Sequence, residues 1–439
     1  MTTPTDRPNV VVIYADDLGW GDLGCFGADD FDTPALDGLA ASGVRLPQWY
    51  VNSPVCSPSR ASLLTGRHPA HAGVEAILGG TRRTVGLPDQ PTLASELRGR
   101  GYATGIFGKW HLGVDPEYGP LKRGFDEHFG FLAGCVDYYS HIYYWGDHNP
   151  LHDLWEGEDE VWYNGEYLTT VIGHRAADFI ERNAENPFFC YVPFNAPHYP
   201  MHAPAEYVAQ FAHLPAGRQM MAAMVKAMDD AIAGILATLD RLGLRENTLV
   251  LFSSDNGPSI EERNWLDGEE ISYDGGSAGG LRGHKGSLFE GGVRVPTIIS
   301  WPAGLPSGGD GAVVGCMSDV LPTVLEAVDG TQPIDENLDG RSVLAELAAG
   351  EAGPDRWHFW KYEGQLSGRL GRWKAVLNGC ESMEEAVAVA EGLYDLDADP
   401  AEEHNLAPTH PERFEDMRAE VERWGKRCAD WSRAAAATV

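Results

Sequence analysis

Four oxygen-bearing residues stand out for where they fall: Asp16 and Asp17 close the run NVVVIYADD, and Asp255 and Asn256 close TLVLFSSDN. Carboxylates and a carboxamide supply only oxygen donors, a set that suits a hard divalent cation such as calcium or magnesium rather than zinc. Taken singly, an Asp pair or an Asp-Asn-Gly turn is ordinary punctuation. Gathered at one sheet edge, the carboxylates would repel each other unless a cation held them together. Lys109, His111, His198 and Lys285 carry the opposite sign. If they converge with the acids, they form a pocket for a tetrahedral anion and a source of protons for a leaving group. Cys56, in NSPVCSPSRASLLTG, has two readings. It is a nucleophilic thiol whose pKa Arg60 and a helix N-terminus lower, or a buried cysteine in a tight turn; neither accounts well for the prolines at 54 and 58.

The convergence depends on the elements that carry these residues. NVVVIY, YATGIF, PFFCYVPF and TLVLFSS have the length and composition of buried strands, and each runs into one of the polar groups above. Between them lie amphipathic stretches of helical length, TLASELRGRG, GHRAADFIERNA and RQMMAAMVKAMDDAIAGILATLDRLG. Strand alternating with helix predicts an α/β core with a large, mostly parallel sheet flanked by helices. Ligands of such sheets bind outside the carboxyl ends of the strands, where the polar groups would meet. The glycine-rich segment 257–292 is expected to loop over the site, with Gly275, Gly276, Gly279 and Gly280 as its most flexible part. A helix is expected around Ser318 to Val328. From about Arg341 the character changes: RWHFWKYEG, GRWKAVLNG and GLYDLDADP read as antiparallel strands, and PERFEDMRAEVERWGKRCADWSRA as a closing helix. The chain therefore divides into residues 1–340, a catalytic domain, and 341–439, a small α+β subdomain.

A formal charge of −32 over 439 residues repels nucleic-acid phosphates and anionic membranes, so neither is expected as a partner. The N-terminal stretch has no basic region or cleavage site and no segment reaches the roughly 20 apolar residues of a membrane span, so a cytoplasmic protein is expected. Seven widely spaced cysteines without a CxxC pair read as reduced thiols, six of them packing residues. Two apparent motifs are set aside. Gly275-Gly276-Ser277-Ala278-Gly279 matches G-x-S-x-G without the strand and helix of a nucleophile elbow, and HKGS at 284–287 lacks P-loop spacing.

Further motifs give these residues a common context. Cys56-Ser57-Pro58-Ser59-Arg60 followed by ASLLTGRHP, then GIFGKWHLG, NAPH, SSDNG, GHKGSLFEGGVRVP and LYDLDADPAEEHNLA together resemble the type I sulfatases of the alkaline phosphatase-like superfamily over nearly the whole chain. The resemblance implies that fold, and it implies that a formylglycine-generating enzyme oxidises Cys56 to formylglycine, reading the surrounding motif before folding is complete. A hydrated aldehyde carries two hydroxyls on one carbon, so one can attack sulfur while the other later expels sulfate and restores the aldehyde. By the same resemblance, position 56 joins Asp16, Asp17, Asp255 and Asn256 around calcium, with magnesium as the alternative, and the cation acts as a Lewis acid. Arg60 would hold the diol, Lys109 and Lys285 the sulfate oxygens; His198 with Lys285 would protonate the leaving alcohol, and His111 would take the proton that triggers sulfate elimination. Ser140 and His141 resemble a less regular segment near the sulfate.

The expected activity is hydrolysis of a small sulfate monoester, a sulfated mono- or oligosaccharide, with aryl sulfates as artificial substrates. The aromatic segment 137–152 and the tryptophans near 357–373 either stack on a sugar or aryl group or belong to the core. A phosphonate monoester or phosphodiester hydrolase of the same superfamily is the nearest rival, and a sulfated-ligand binding protein with unmodified Cys56 is the rival from another class.

Overall fold

The structure is a computed structural model that describes residues 7–80, 85–143, 150–260, 274–333, 335–383 and 391–436. The centre of the molecule is a nine-stranded sheet. Five of its strands are parallel: β1 (Asn9–Ala15), β2 (Ala103–Lys109), β3 (Glu127–Phe131), β4 (Phe188–Pro193) and β5 (Thr248–Ser254), side by side in the order β5-β1-β4-β2-β3. Short antiparallel strands extend both edges, Ile298–Ser300 and Val44–Arg45 beyond β5, Trp155–Glu156 and Asp159–Glu160 beyond β3.

β1 reads as an unbroken apolar run because both of its faces are covered. Side chains alternate across a strand, so Val11 and Ile13 join one core and Val10, Val12 and Tyr14 the other. The first core is closed by α2 (Leu168–Arg182) and α3 (Ala216–Arg241), which bury Ile172, Phe179, Met224 and Ile232 against the sheet. The second is closed by α1 (Cys56–Thr65) and α4 (Val320–Asp329) through Leu63, Leu64, Leu321 and Val324. Each such side chain, fully buried, contributes about 1.5–3 kcal/mol. A short 3₁₀ turn, Met317–Asp319, precedes α4, so the expected helix begins slightly later than its sequence pattern.

The C-terminal part forms a separate four-stranded antiparallel sheet, β6 (Trp357–Tyr362), β7 (Gln365–Leu370), β8 (Trp373–Leu377) and β9 (Gly392–Asp395), with the closing helix α5 (Pro411–Ala436) laid across it. Phe414, Met417 and Val421 of α5 pack on Ala375, Leu377 and Leu393. Among the described residues no helix is long and apolar enough to cross a membrane.

Two expectations are corrected. Four of the six cysteines expected to be packing residues are buried, but Cys25 and Cys380 are half-buried, Cys25 at the edge of the first core. The glycines 275–280 are also not a loose stretch. Ser277 N–H donates to the Asp22 carboxylate and its carbonyl accepts from Gly21 N–H at 2.9 Å, so this part of the loop is tied to the segment after β1. Residues 261–273 of that loop and 144–149 of the aromatic segment lie outside the described residues.

Candidate active site

Strand register brings the acids together. Ala15 pairs with Ser254, so the next residues, Asp16 and Asp255, leave the sheet from adjacent strands. Asp17 and His111 adopt left-handed backbone conformations, φ 64° and 54°, which non-glycine residues hold only where their surroundings compel it and which cluster at functional sites. Lys109 is the last residue of β2 and follows Gly108, whose φ is 128° and where a Cβ would lie 2.0 Å from the Pro193 carbonyl oxygen of β4. Glycine is thus required for β2 to deliver Lys109 beside β4. Cys56 is the first residue of α1, with Val55 extended before it.

Asp16, Asp17, Arg60, Lys109, His198, Asp255, Asn256 and Lys285 form one buried network. Lys109 Nζ donates to both oxygens of Asp16 at 2.8 and 2.7 Å. Arg60 donates to Asp255 Oδ2 through Nε at 3.0 Å and Nη2 at 2.6 Å, and Nη2 lies 3.4 Å from Asp16. Lys285 Nζ donates to Asp17 Oδ2 at 2.9 Å and lies 3.3 Å from His198 Nε2. Asn256 Nδ2 donates to Asp17 Oδ1 at 2.7 Å, while its carbonyl oxygen Oδ1 is buried without a hydrogen-bond partner. Ligand atoms of Asp16, Asp17, Cys56 and His198 all lie within 4.8 Å of one another.

These positions decide protonation. Burial pushes the Asp255 carboxyl up, but Arg60 and Lys109 outweigh it and hold the group well below the usual carboxylate range. Asp16 is pushed up to about 6 by burial, against the pull of Lys109. His111 Nε2 donates to the Leu78 carbonyl at 2.8 Å, leaving Nδ1 as a buried lone pair without a partner. Burial, then Lys109 and Arg60, push His111 well below its ordinary pKa, so the ring is neutral. Burial likewise pushes the Cys56 thiol up, with Lys109 and Lys285 pulling the other way. The expected activation of the thiol by Arg60 is therefore not found, because Arg60 is committed to the carboxylates.

Three carboxylates face three cationic side chains at a site that also holds an orphaned amide oxygen and two histidines. Over residues 8–331 the chain matches the family model described as Sulfatase. The protein is a member of the sulfatase family.

N-acetylgalactosamine-6-sulfatase of Sus scrofa is 32% identical over 93% of this chain and 80% of its own length. Steryl-sulfatase of Rattus norvegicus is 30% identical over 94% and 88%. Among solved structures, Ps i-CgsB in complex with k-i-k-neocarrahexaose superposes with a TM-score of 0.84 at 30% identity, covering 95% of this chain and 92% of that one. The sulfatase is accordingly a type I family member and a sulfuric ester hydrolase.

The two weaker site residues lie in the segment whose Tyr138 hydroxyl donates to the Asn195 and His198 carbonyls at 2.8 and 2.7 Å. Ser140 Oγ donates to Asp137 at 2.8 Å, and His141 is buried with its ring centroid 6.5 Å from that of His152. Among the described residues no hydrogen bond joins either of them to the network. Of the tryptophans near 357–373, Trp360 is core, donating from its indole nitrogen to the Val51 carbonyl at 2.7 Å, and Trp357 stacks on Phe359. The sequence reading missed Tyr362, a buried residue of β6 close enough to interact electrostatically with Lys285 and Cys56. Its only signal was a place in an aromatic strand, which does not distinguish a site wall from core.

Proposed function

We propose that this sulfatase hydrolyses a sulfate monoester on a small sugar, with formylglycine at position 56 and calcium held beside it. The observation that carries this reading is the buried network itself: an ion-balanced cluster around the first residue of α1, with a carbonyl oxygen of Asn256 left to be satisfied. A buried carbonyl without a partner costs about 1–3 kcal/mol, which a cation would offset. Asp16, Asp17, Asp255, Asn256 and residue 56 would hold the cation. Bound there, it would supply Lewis acidity and add positive charge to a balanced cluster, drawing an anionic ester into a protein of net charge −32. Formylglycine would supply a nucleophile that a buried, protonated thiol does not.

The remaining roles follow from hydrogen-bond geometry. His198 Nδ1–H donates to the Tyr199 carbonyl at 2.5 Å, so Nε2 is the atom that faces Lys285. A proton for the departing alcohol passes from Lys285 or from protonated His198 at this pair. His111 Nδ1, neutral and unpartnered, accepts a proton on the opposite side of the cycle. Lys109 and Lys285 place two ammonium groups where sulfate oxygens would lie. The sugar portion of the proposal is supported by the likeness to N-acetylgalactosamine-6-sulfatase and by the k-i-k-neocarrahexaose in complex with the similar Ps i-CgsB.

The test is peptide mass spectrometry across residues 51–67 on protein made with and without a formylglycine-generating enzyme, paired with turnover of sulfated sugars, aryl sulfates and matched phosphate esters. Thiol-to-aldehyde conversion should rise together with sulfate release from sugars. Turnover by protein with an intact Cys56 thiol would refute the nucleophile, turnover of aryl esters alone would refute the sugar, and faster phosphodiester cleavage would favour the rival hydrolase.

A further inference from the structure

Lys285 stands in a segment without regular secondary structure, so its position has to be enforced from outside. On the side of the large sheet, Lys285 N–H donates to the Pro258 carbonyl and Gly286 N–H to the Pro54 carbonyl, both at 2.9 Å. The other contacts come from the C-terminal sheet and the segment that follows its strand β8. His284 N–H donates to the Glu381 carbonyl at 2.9 Å, and Met383 N–H to the Lys285 carbonyl at 3.1 Å. One side chain closes the arrangement. Gln365, buried at the start of β7, donates from Nε2 to the Gly286 carbonyl at 2.7 Å, and its Oε1 accepts from Leu288 N–H at 3.3 Å and Cys380 N–H at 3.1 Å.

Gln365 follows a two-residue hairpin turn, Glu363-Gly364, in which both residues have positive φ, 44° and 88°. Such a turn fixes the register of the flanking strands and leaves little slack in where Gln365 and its partner Tyr362 point. We infer that Gln365 is a positioning residue for sulfate-ester hydrolysis: through Gly286 and Leu288 it holds Lys285 against Asp17, so that the C-terminal sheet templates a substrate-binding lysine. This inference rests on the role proposed above for Lys285.

The test compares Gln365→Leu, which keeps the side chain's bulk and loses all three hydrogen bonds, with Ser367→Ala, which removes a buried bond within the same sheet, from Ser367 Oγ to the Ala375 carbonyl at 2.9 Å. Gln365→Glu retains the acceptor oxygen and loses the donor to Gly286, and serves if Gln365→Leu does not fold. The expected result for Gln365→Leu is a KM for a sulfate ester raised about tenfold, more than kcat falls, together with faster amide exchange in the peptide covering 282–290. Gln365→Glu should lie between Gln365→Leu and the unaltered protein, and Ser367→Ala should match the latter in both readouts. Unchanged KM and exchange in Gln365→Leu, or equal shifts in Ser367→Ala, would overturn the inference. Absence of sulfate release by the unaltered, modified protein would count against the proposed function instead, and amide exchange would still decide whether Gln365 holds the loop.

Discussion

Two clusters of buried charge each draw a residue from the segment 282–294, Lys285 in one and Glu290 in the other, and they differ in how their polar atoms are partnered. At the seam between the two sheets, Lys374 Nζ sits 2.9 Å from Glu290 Oε1 and 3.0 Å from Glu402 Oε1. Glu290 Oε2 accepts from Tyr50 at 2.7 Å, and Glu402 Oε2 accepts from the Glu290 N–H at 2.6 Å. Lys374, Glu290 and Glu402 are fully shielded from solvent and neutralise one another, although Glu402 Oε1 meets Lys374 only as an ion pair and accepts no hydrogen bond. The active-site network is as deeply buried, yet it keeps an unpartnered Asn256 oxygen and an unpartnered His111 nitrogen. Burying polar groups without partners is costly, and a fold retains such groups where a ligand or a proton is to complete them. Neither buried charge nor a missing hydrogen bond marks a site alone; the active site combines them, with Asn256 Oδ1 and His111 Nδ1 facing neither a hydrogen-bond partner nor an ion pair beside its carboxylates and cations.

The comparison is broken most directly at Cys56. Cys56→Ala should abolish sulfate release while moving the unfolding free energy by no more than about 1 kcal/mol, since a neutral buried thiol is replaced by a smaller apolar group. Retained turnover would place the nucleophile elsewhere. At the seam the expected effect is on stability. Lys374→Met leaves Glu290 and Glu402 facing each other without their cation, and urea unfolding should show a loss of about 3–5 kcal/mol. A loss below about 1 kcal/mol would mean that Arg294, 3.4 Å from Glu290, suffices to hold the seam.

A third measurement separates the clusters by ligand. Calcium at a hundredfold excess over its dissociation constant should stabilise the protein by about 2.7 kcal/mol against thermal unfolding. Asp17→Ala should cancel that gain, and Lys374→Met should preserve it on a lowered baseline. If calcium stabilises Asp17→Ala as well, the cation binds elsewhere, for instance at the half-buried Asp399 with the exposed Glu403 and His404.

How much of this was legible in the sequence depended on whether the signal was local. The parallel strands were readable because β1, β4 and β5 are continuous apolar runs, and the polar residues that follow them fall where such a sheet binds ligands. Asp16 beside Asp255 follows from that pattern once the strands are neighbours. What stayed hidden were partners far apart along the chain. Nothing near Gln365 announces that it bonds to Gly286, 79 residues away, and nothing near Arg60 shows that its guanidinium is spent on Asp255, 195 residues away. The aromatic strand β6 reads alike for core and for site, although Trp360 supplies the first and Tyr362 borders the second. The Gly275–Gly280 stretch misled because glycine reports permitted conformations, whereas the Asp22 carboxylate that ties it down lies in another segment.

The last prediction uses pH to distinguish the two clusters. Burial pushes the Glu402 carboxyl up from 4.5 to about 7, with Lys374 pulling it down and Glu290 pushing it further up. Between those values the folded protein keeps a proton that the unfolded chain has released, so stability falls as pH rises through this window and is level above it. Glu402→Gln removes the titration while keeping the side chain's size. The unaltered protein should therefore lose stability relative to Glu402→Gln from about pH 5 to pH 7, by no more than about 1.4 kcal/mol per pH unit, the slope of one proton. Urea midpoints at intervals across that range measure it. Asp255 stays ionised throughout because Arg60 and Lys109 hold its pKa low, and Asp16, pushed up to about 6, titrates alike in both proteins, so neither adds slope to the difference between them. A stability difference between the two proteins that does not change with pH would mean that Glu402 is ionised in the fold and that Lys374 balances both carboxylates. The seam would then be an open ionic network like the active site, and the distinction between the clusters would rest on Asn256 and His111 alone.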